Sequence, residues 1–329
     1  MKEIVVNSNE AGQRMDKLLA KVFHQCSKSF LYKMLRKKNI KLNNQKAEGK
    51  EILKPGDTIQ VYFSDETYEK FTKKDSFSPV ILPSQFQVLY EDADIVLLNK
   101  WAGVLSQKAQ NTDISMNEYL LSYLLQEGKI TEDTFATFTP SVCNRLDRNT
   151  TGILIAGISL KGLQVLSKAL KERIIGKYYY TLVDGVVTKK QHVRGYLVKE
   201  ESGNRVRIVS EDEAFSGAIG TPVETEYEVV RTNGEATLLR VHLITGKTHQ
   251  IRAHLSFLGH PVIGDRKYGD AITNQFYERE FGVHNQLLHA GLLQFPDSFD
   301  LPQLAGKQFT APMPDLFQRV LRELGLEME

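Results

Sequence analysis

Asp147 stands between two arginines, Arg145 and Arg148, in a polar run that leads into the apolar residues 153–156. Two guanidiniums favour the charge of such a carboxylate, so it stays ionised and is able to serve as nucleophile or base. The competing reading is a hydrogen-bonding turn residue ahead of a strand, and the residue types alone leave both open. A second polar run, Thr245, Gly246, Lys247, Thr248, His249, Gln250 and Arg252, follows an alternating apolar stretch at 237–243. It gathers a hydroxyl, an imidazole, an amide and a guanidinium, with Gly246 expected to permit a sharp turn. Arg252 is the most useful of these, because a guanidinium can hold a carboxylate bidentately and fix its position; the alternative is a structural ion pair. His249 and His254 are five residues apart, which suits neither one helical face nor one strand face, so no metal site is expected. In a third segment Lys177 precedes Tyr178, Tyr179 and Tyr180. Alternating aromatics on a strand form a packed sheet face, or one of them presents its ring to a base.

The elements that must position these residues can be read from apolar spacing. Short β-branched or aromatic runs at 88–90, 95–98, 153–156, 178–183, 237–243 and 287–295 read as strands, and helical patterns cover about 116–126 and 160–171,. Pro314 opens a last helix with Leu316, Val320, Leu321 and Leu324 on one face,. The economical fold class is α+β, with a large, mainly antiparallel sheet over residues 86–329. Ahead of it, Met15, Leu18, Leu19, Val22 and Phe23, then Phe30, Leu31, Met34 and Leu35, give two amphipathic helices, with Ser27 or Ser29 as cap of the second,. Ile40 to Leu42 reads as a strand, Asn43 and Asn44 as a tight turn, and residues 58–63 as a second strand,. Residues 1–64 are thus a small helix-helix-strand domain, and residues 65–85, without a clean period, a linker.

The whole chain of 329 residues carries 42 Lys and Arg against 40 Asp and Glu. That balance hides a segregation: residues 1–64 hold 13 basic and 6 acidic side chains, net +7, which leaves −5 for the remainder. Between Asp16 and Glu48 nine basic residues occur with no acidic one. A field of this kind attracts a polyanion by releasing its counterions, which makes nucleic acid the leading partner over a merely solvated charged face. The two cysteines, Cys26 and Cys143, support neither a disulfide framework nor a cysteine zinc site,. With no apolar run of membrane-spanning length and no basic-then-apolar start, the expectation is a cytoplasmic protein with no membrane partner.

Ordered together, these segments resemble the RluA-type family of RNA pseudouridine synthases over nearly the whole length. The match runs through Glu91 to Lys100 with Ala102 and Gly103; through Arg145, Leu146, Asp147, Thr150, Thr151 and Gly152; through Lys177 and Tyr179; and through Thr245 to Arg252. Gly259, His260, Pro261, Asp265, Tyr268, Gly269 and then Leu288, His289 and Ala290 complete it. The N-terminal part, with Ile40, Lys41, Leu42, Asn43, Lys54, Pro55, Gly56, Asp57, Ile59 and Val61, resembles the small RNA-binding domain first recognised in ribosomal protein S-four.

The resemblance implies a pseudouridine-synthase fold and isomerisation of uridine in RNA, 23S ribosomal RNA by domain arrangement, by a monomer without metal or organic cofactor. It implies that Asp147 initiates cleavage of the bond between N1 and the ribose, that Tyr179 stacks on the base, and that Arg252 orients Asp147. Arg145, Lys177, Lys247, Thr248, His249 and Gln250 would bind substrate, and Lys28, Lys33, Arg36, Lys37 and Lys38 would grip structured RNA. Four positions depart from the commonest form: Asn144 for His, Asn149 for Asp, Trp101 for Pro and Lys247 for Arg. Two other classes compete, a non-catalytic RNA-binding protein and a glycosidase using a carboxylate pair.

Overall fold

The computed structural model describes residues 1–7, 10–72, 81–110, 112–131, 138–200, 205–210, 213–214 and 220–328. Its first part comprises β1 (Lys2–Val5), α1 (Met15–Val22), α2 (Lys28–Arg36), β2 (Ile40–Leu42), β3 (Gln45–Lys46) and β4 (Thr58–Val61). The strands run antiparallel in the order β1-β4-β2-β3. Helical spacing buries Met15, Leu18, Leu19, Leu31 and Leu35 against Ile40, Ile59 and Val61,. Of the two candidate caps it is Ser27 that opens α2, its Oγ accepting the Phe30 N–H at 3.3 Å,. Asn43 and Asn44 have φ of 49° and 62°, the left-handed pair that a two-residue hairpin turn requires,.

The linker expected from residue 65 begins instead as a helix, α3 (Asp65–Thr72). Tyr68 and Phe71, three residues apart among charged neighbours, reach back onto the small core, where they meet Phe23 and Phe30 at ring distances of 5.5 and 5.0 Å. A two-residue apolar face is too sparse to register as a period, yet it extends the packed unit to Thr72. Residues 73–80 of the expected linker lie outside the described residues.

The larger part continues with β5 (Phe86–Glu91), β6 (Ile95–Lys100), α4 (Met116–Gln126), β7 (Ser141–Val142), β8 (Thr151–Gly157), α5 (Leu160–Glu172) and β9 (Gly176–Asp184). Then come β10 (Gln191–Lys199), β11 (Val206–Val209), β12 (Thr221–Thr232), β13 (Ala236–Leu243), α6 (Gln250–Phe257), α7 (Ala271–Phe281), β14 (Leu288–Gln294), β15 (Gln308–Thr310) and α8 (Asp315–Glu323). Among the described residues these strands form one sheet in the order β11-β10-β12-β13-β9-β14-β8-β6-β5, with β15 beside β14 and β7 beside β8. Its pairs are antiparallel apart from β8 with β14.

The central strands are covered on both faces. Val96, Leu98, Leu154 and Ala156 pack towards Met116, Leu120 and Leu124 of α4. The alternate residues Ile95, Leu97, Ile153 and Ile155 pack towards Leu166 and Ala169 of α5. A strand buried on both faces loses polar alternation and reads as a continuous apolar run, as 95–98 and 153–156 do. Where β8 begins, Gly152 has a φ of +107°, and a Cβ there would lie 2.3 Å from the Ala290 carbonyl oxygen of β14. Only glycine fits this crossing, which launches the strand that follows Asp147.

Candidate active site

Asp147 lies in the loop between β7 and β8, and three anchors fix that loop. The Ser106 hydroxyl donates to the Leu146 carbonyl at 2.8 Å and accepts the Leu146 N–H at 2.9 Å. Asn144 accepts the Ile155 N–H at 2.8 Å, tying the loop to β8. Lys100, fully buried at the end of β6, donates from Nζ to the carbonyls of Trp101 (2.7 Å) and Arg148 (2.8 Å). Burial pulls the Lys100 ammonium down to about 7, against the opposing attraction of Asp147,.

Arg252 comes from α6. Its Nη1 donates to Asp147 Oδ2 at 2.7 Å, while Nε and Nη2 grip Asp265 at 2.6 and 2.8 Å. Asp265 is fully buried and also accepts the N–H groups of Lys267 (2.9 Å) and Tyr268 (3.1 Å). Burial alone would raise its carboxyl, but the Arg252 fork and these amides outweigh burial and hold it below the usual carboxylate range,. For Arg252 burial works against the charge, and its two carboxylate partners overcome that and raise it. The Tyr268 ring lies under the guanidinium at 5.2 Å,. One arginine is thereby clamped from below by Asp265 and presents its remaining edge to Asp147.

Tyr179 on β9 is 5% exposed and lines the same cleft. Burial, and after it the charge of Asp147, pushes its phenol well above the ordinary tyrosine range, so it remains protonated,. His249 takes a φ of 55° at the start of α6; Nδ1 meets the Tyr268 hydroxyl at 3.0 Å and Nε2 lies 4.0 Å from Asp147. Burial lowers this imidazole against the pull of Asp147. The left-handed residue of the turn is therefore His249, whereas Gly246, expected to supply the turn, has no positive φ.

Asp147, Tyr179, Arg252, Arg145, Lys247, His249 and Gln250 line one cleft. A broader groove that shares Asp147 continues past Lys177 and Thr248 and adds Arg148, Lys171 and Arg173. Lys177 is lowered by burial and by neighbouring Arg173. Gln250 lines the cleft with a side chain whose hydrogen bonds are already made. Its amide donates to Glu224 O (3.0 Å) and Thr225 Oγ1 (2.9 Å) and accepts from Thr245 Oγ1 (2.8 Å) and Lys247 N (3.1 Å). A side chain so engaged shapes the 245–249 loop and has nothing left to offer a ligand. His254 turns away from the cleft to Thr225 at 2.9 Å. Lys28, Lys33, Arg36, Lys37 and Lys38 lie on α2 and just beyond it, all exposed and none in an ion pair among the described residues. Among the described residues no three His, Cys, Asp or Glu side chains group as metal ligands.

Two residues central to this arrangement were not singled out as site residues by the sequence. Asp265 and Lys100 were visible only as members of motifs, because no spacing rule links position 265 to 252 or position 100 to 148.

A family model described as RNA pseudouridylate synthase matches residues 94–257, which include Asp147, Tyr179 and Arg252. The ribosomal large subunit pseudouridine synthase C of Escherichia coli K12 is 29% identical over 98% of this chain and 97% of its own. Its counterpart from Vibrio cholerae is 29% identical over 89% and 88%. Among solved structures, human RNA pseudouridylate synthase domain containing 4 shares the fold with a TM-score of 0.57 and 21% identity, over 73% of this chain and 94% of that one.

Proposed function

We propose that this chain, a member of the RNA pseudouridylate synthase family, converts uridines of large-subunit ribosomal RNA to pseudouridine in the cleft around Asp147. The target nucleotide leaves its stack, since the glycosidic bond is out of reach inside a helix. Asp147 acts on the sugar side, by attack at C1′ or by taking a proton next to it, and the C1′–N1 bond breaks. The uracil turns, C5 bonds to C1′, the C5 proton is lost and N1 gains one, so the reaction is an isomerisation without net redox change. Arg252 holds Oδ2 of Asp147 and leaves Oδ1 without a partner among the described residues. Tyr179 stacks on the base and stands where the C5 proton leaves. Arg145, Lys177, Lys247, Thr248 and His249 receive the nucleotide and its phosphates.

The observation that carries this reading is the clamp: a buried Asp265 and Arg252 pair whose one free edge fixes a partly exposed Asp147. A glycosidase would need a second carboxylate able to exchange protons. The carboxylate available, Asp265, is fully buried and already bound on both oxygens. Relatives named for the ribosomal large subunit support the substrate class. The small basic domain supplies the RNA grip through Lys28, Lys33, Arg36, Lys37 and Lys38. No helix among the described residues is long and apolar enough to cross a membrane, and ribosomal RNA as substrate supports a cytoplasmic enzyme.

The test is Asp147→Ala. It abolishes tritium release from C5-tritiated uridine in RNA and leaves RNA binding within about twofold; release at the wild-type rate refutes the role of Asp147. Pseudouridine maps of ribosomal RNA with and without the gene identify the position, and an unchanged map rules out this substrate.

A further inference from the structure

We propose that Trp101 is a stacking platform for a nucleotide adjacent to the extruded uridine, giving the enzyme one aromatic contact with RNA outside the uridine pocket. The inference rests on the RNA-isomerase reading above. Trp101 follows β6, and its main chain is held at both ends. Its N–H donates to Gln85 O at 3.3 Å, and its carbonyl accepts the buried Lys100 Nζ, which also bonds the Arg148 carbonyl. Gly103 N–H reaches that same Arg148 carbonyl at 3.0 Å. The backbone of Trp101 is thereby tied to the residue that follows Asp147.

Its side chain is treated in the opposite way. Trp101 is 47% exposed and belongs to none of the hydrophobic clusters. Among the described residues it makes no ring contact, cation–π contact or hydrogen bond. Arg148, whose carbonyl shares Lys100 Nζ with that of Trp101, is exposed as well and forms no ion pair among the described residues. A large aromatic left in water is unfavourable unless something covers it. An exposed ring and an exposed cation carried on backbone tied together in this way suit unstacked nucleic acid, the guanidinium taking phosphate and the ring taking a base,. Extrusion of a uridine creates that demand, because its neighbour loses a stacking partner.

Trp101 is the only tryptophan in the protein, so indole emission reports on this position alone. Titrating the full chain with unmodified, transcribed large-subunit ribosomal RNA quenches that emission, with the midpoint found by filter retention. Tritium release from the same RNA gives the kinetic arm. Trp101→Leu raises KM about ten- to a hundredfold with kcat retained, and Trp101→Phe recovers most of the loss. Wild-type enzyme that binds and releases tritium with unchanged emission overturns the platform, as does an identical KM for the Leu and Phe variants. Wild-type enzyme that releases no tritium overturns the functional reading and this proposal with it.

Discussion

The cations on α2 and the cations around Asp147 are chemically alike and are held in opposite ways. Lys28, Lys33, Arg36, Lys37 and Lys38 lie exposed on one short helix and its end, where their charge is available to any polyanion. Arg252 is 6% exposed and Lys100 fully buried, and each spends its donors on fixed protein acceptors. Salt screens the first group over about 10 Å and hardly reaches the second. Grip and chemistry are therefore separable: one region sets how strongly RNA is held, the other sets the geometry of one carboxylate. Each variant below sharpens that contrast or breaks it.

The largest effect belongs to Arg252. In Arg252→Leu, Asp265 remains buried without its partner, and loss of one member of a buried ion pair costs roughly 3–5 kcal/mol. The denaturation midpoint falls accordingly, activity is lost, and the salt dependence of RNA affinity stays as it was. Arg252→Lys keeps the charge without the fork, so it satisfies Asp265 or Asp147 but not both. It lowers kcat about a hundredfold with smaller loss of stability. An Arg252→Lys enzyme with wild-type kcat would show that the clamp does not orient Asp147.

Lys100 gives a pH signature of intermediate size. Its folded value of about 7 lies below the ordinary lysine value of 10.5, so between these limits the unfolded chain binds more protons than the folded one. Stability from this group therefore rises with pH through that window, and the cost of the buried charge is fully present below 7. Relative to Lys100→Met, the wild-type protein gains roughly 2–3 kcal/mol between pH 7 and pH 9. Denaturant midpoints at the two pH values check this, and parallel behaviour of the two proteins would mean that Lys100 is not buried as a cation.

How much of this was legible in the sequence differs between the regions. Residues 95–98 and 153–156 announced doubly covered strands because they are apolar throughout. β12 was not among the expected strands although Val223, Thr225 and Tyr227 are buried in alternation, because with glutamates between them and a threonine among them they form no apolar run. α3 was hidden for a related reason, a face of only two aromatics. Asp147 and Arg252 stood out by residue type and Tyr179 only through the family resemblance, and the structure brings all three to one cleft. Asp265 could not be assigned its part, because a contact across the fold leaves no periodic trace. The part Gln250 plays in the 245–249 loop was not legible, because a motif shows which residue is present and not which hydrogen bonds it already makes.

The smallest effect tests the other side of the contrast. Removing residues 1–64 would leave Tyr68 and Phe71 of α3 without the core they cover, so charge removal is the cleaner experiment. In the triple variant Lys33→Gln, Arg36→Gln, Lys37→Gln, each lost phosphate contact lowers the slope of log affinity against log salt by about 0.7 to 0.9. Three lost contacts thus flatten it by roughly 2–3 units. The core residues of α2, Leu31, Met34 and Leu35, are untouched, so the fold is retained. RNA affinity at low salt falls while kcat at saturating RNA stays at the wild-type level, because the Asp147 cleft contains none of these side chains. An unchanged slope would move the RNA grip to the groove cations Arg145, Arg148, Lys171 and Arg173, and the division of labour between the two regions would fall.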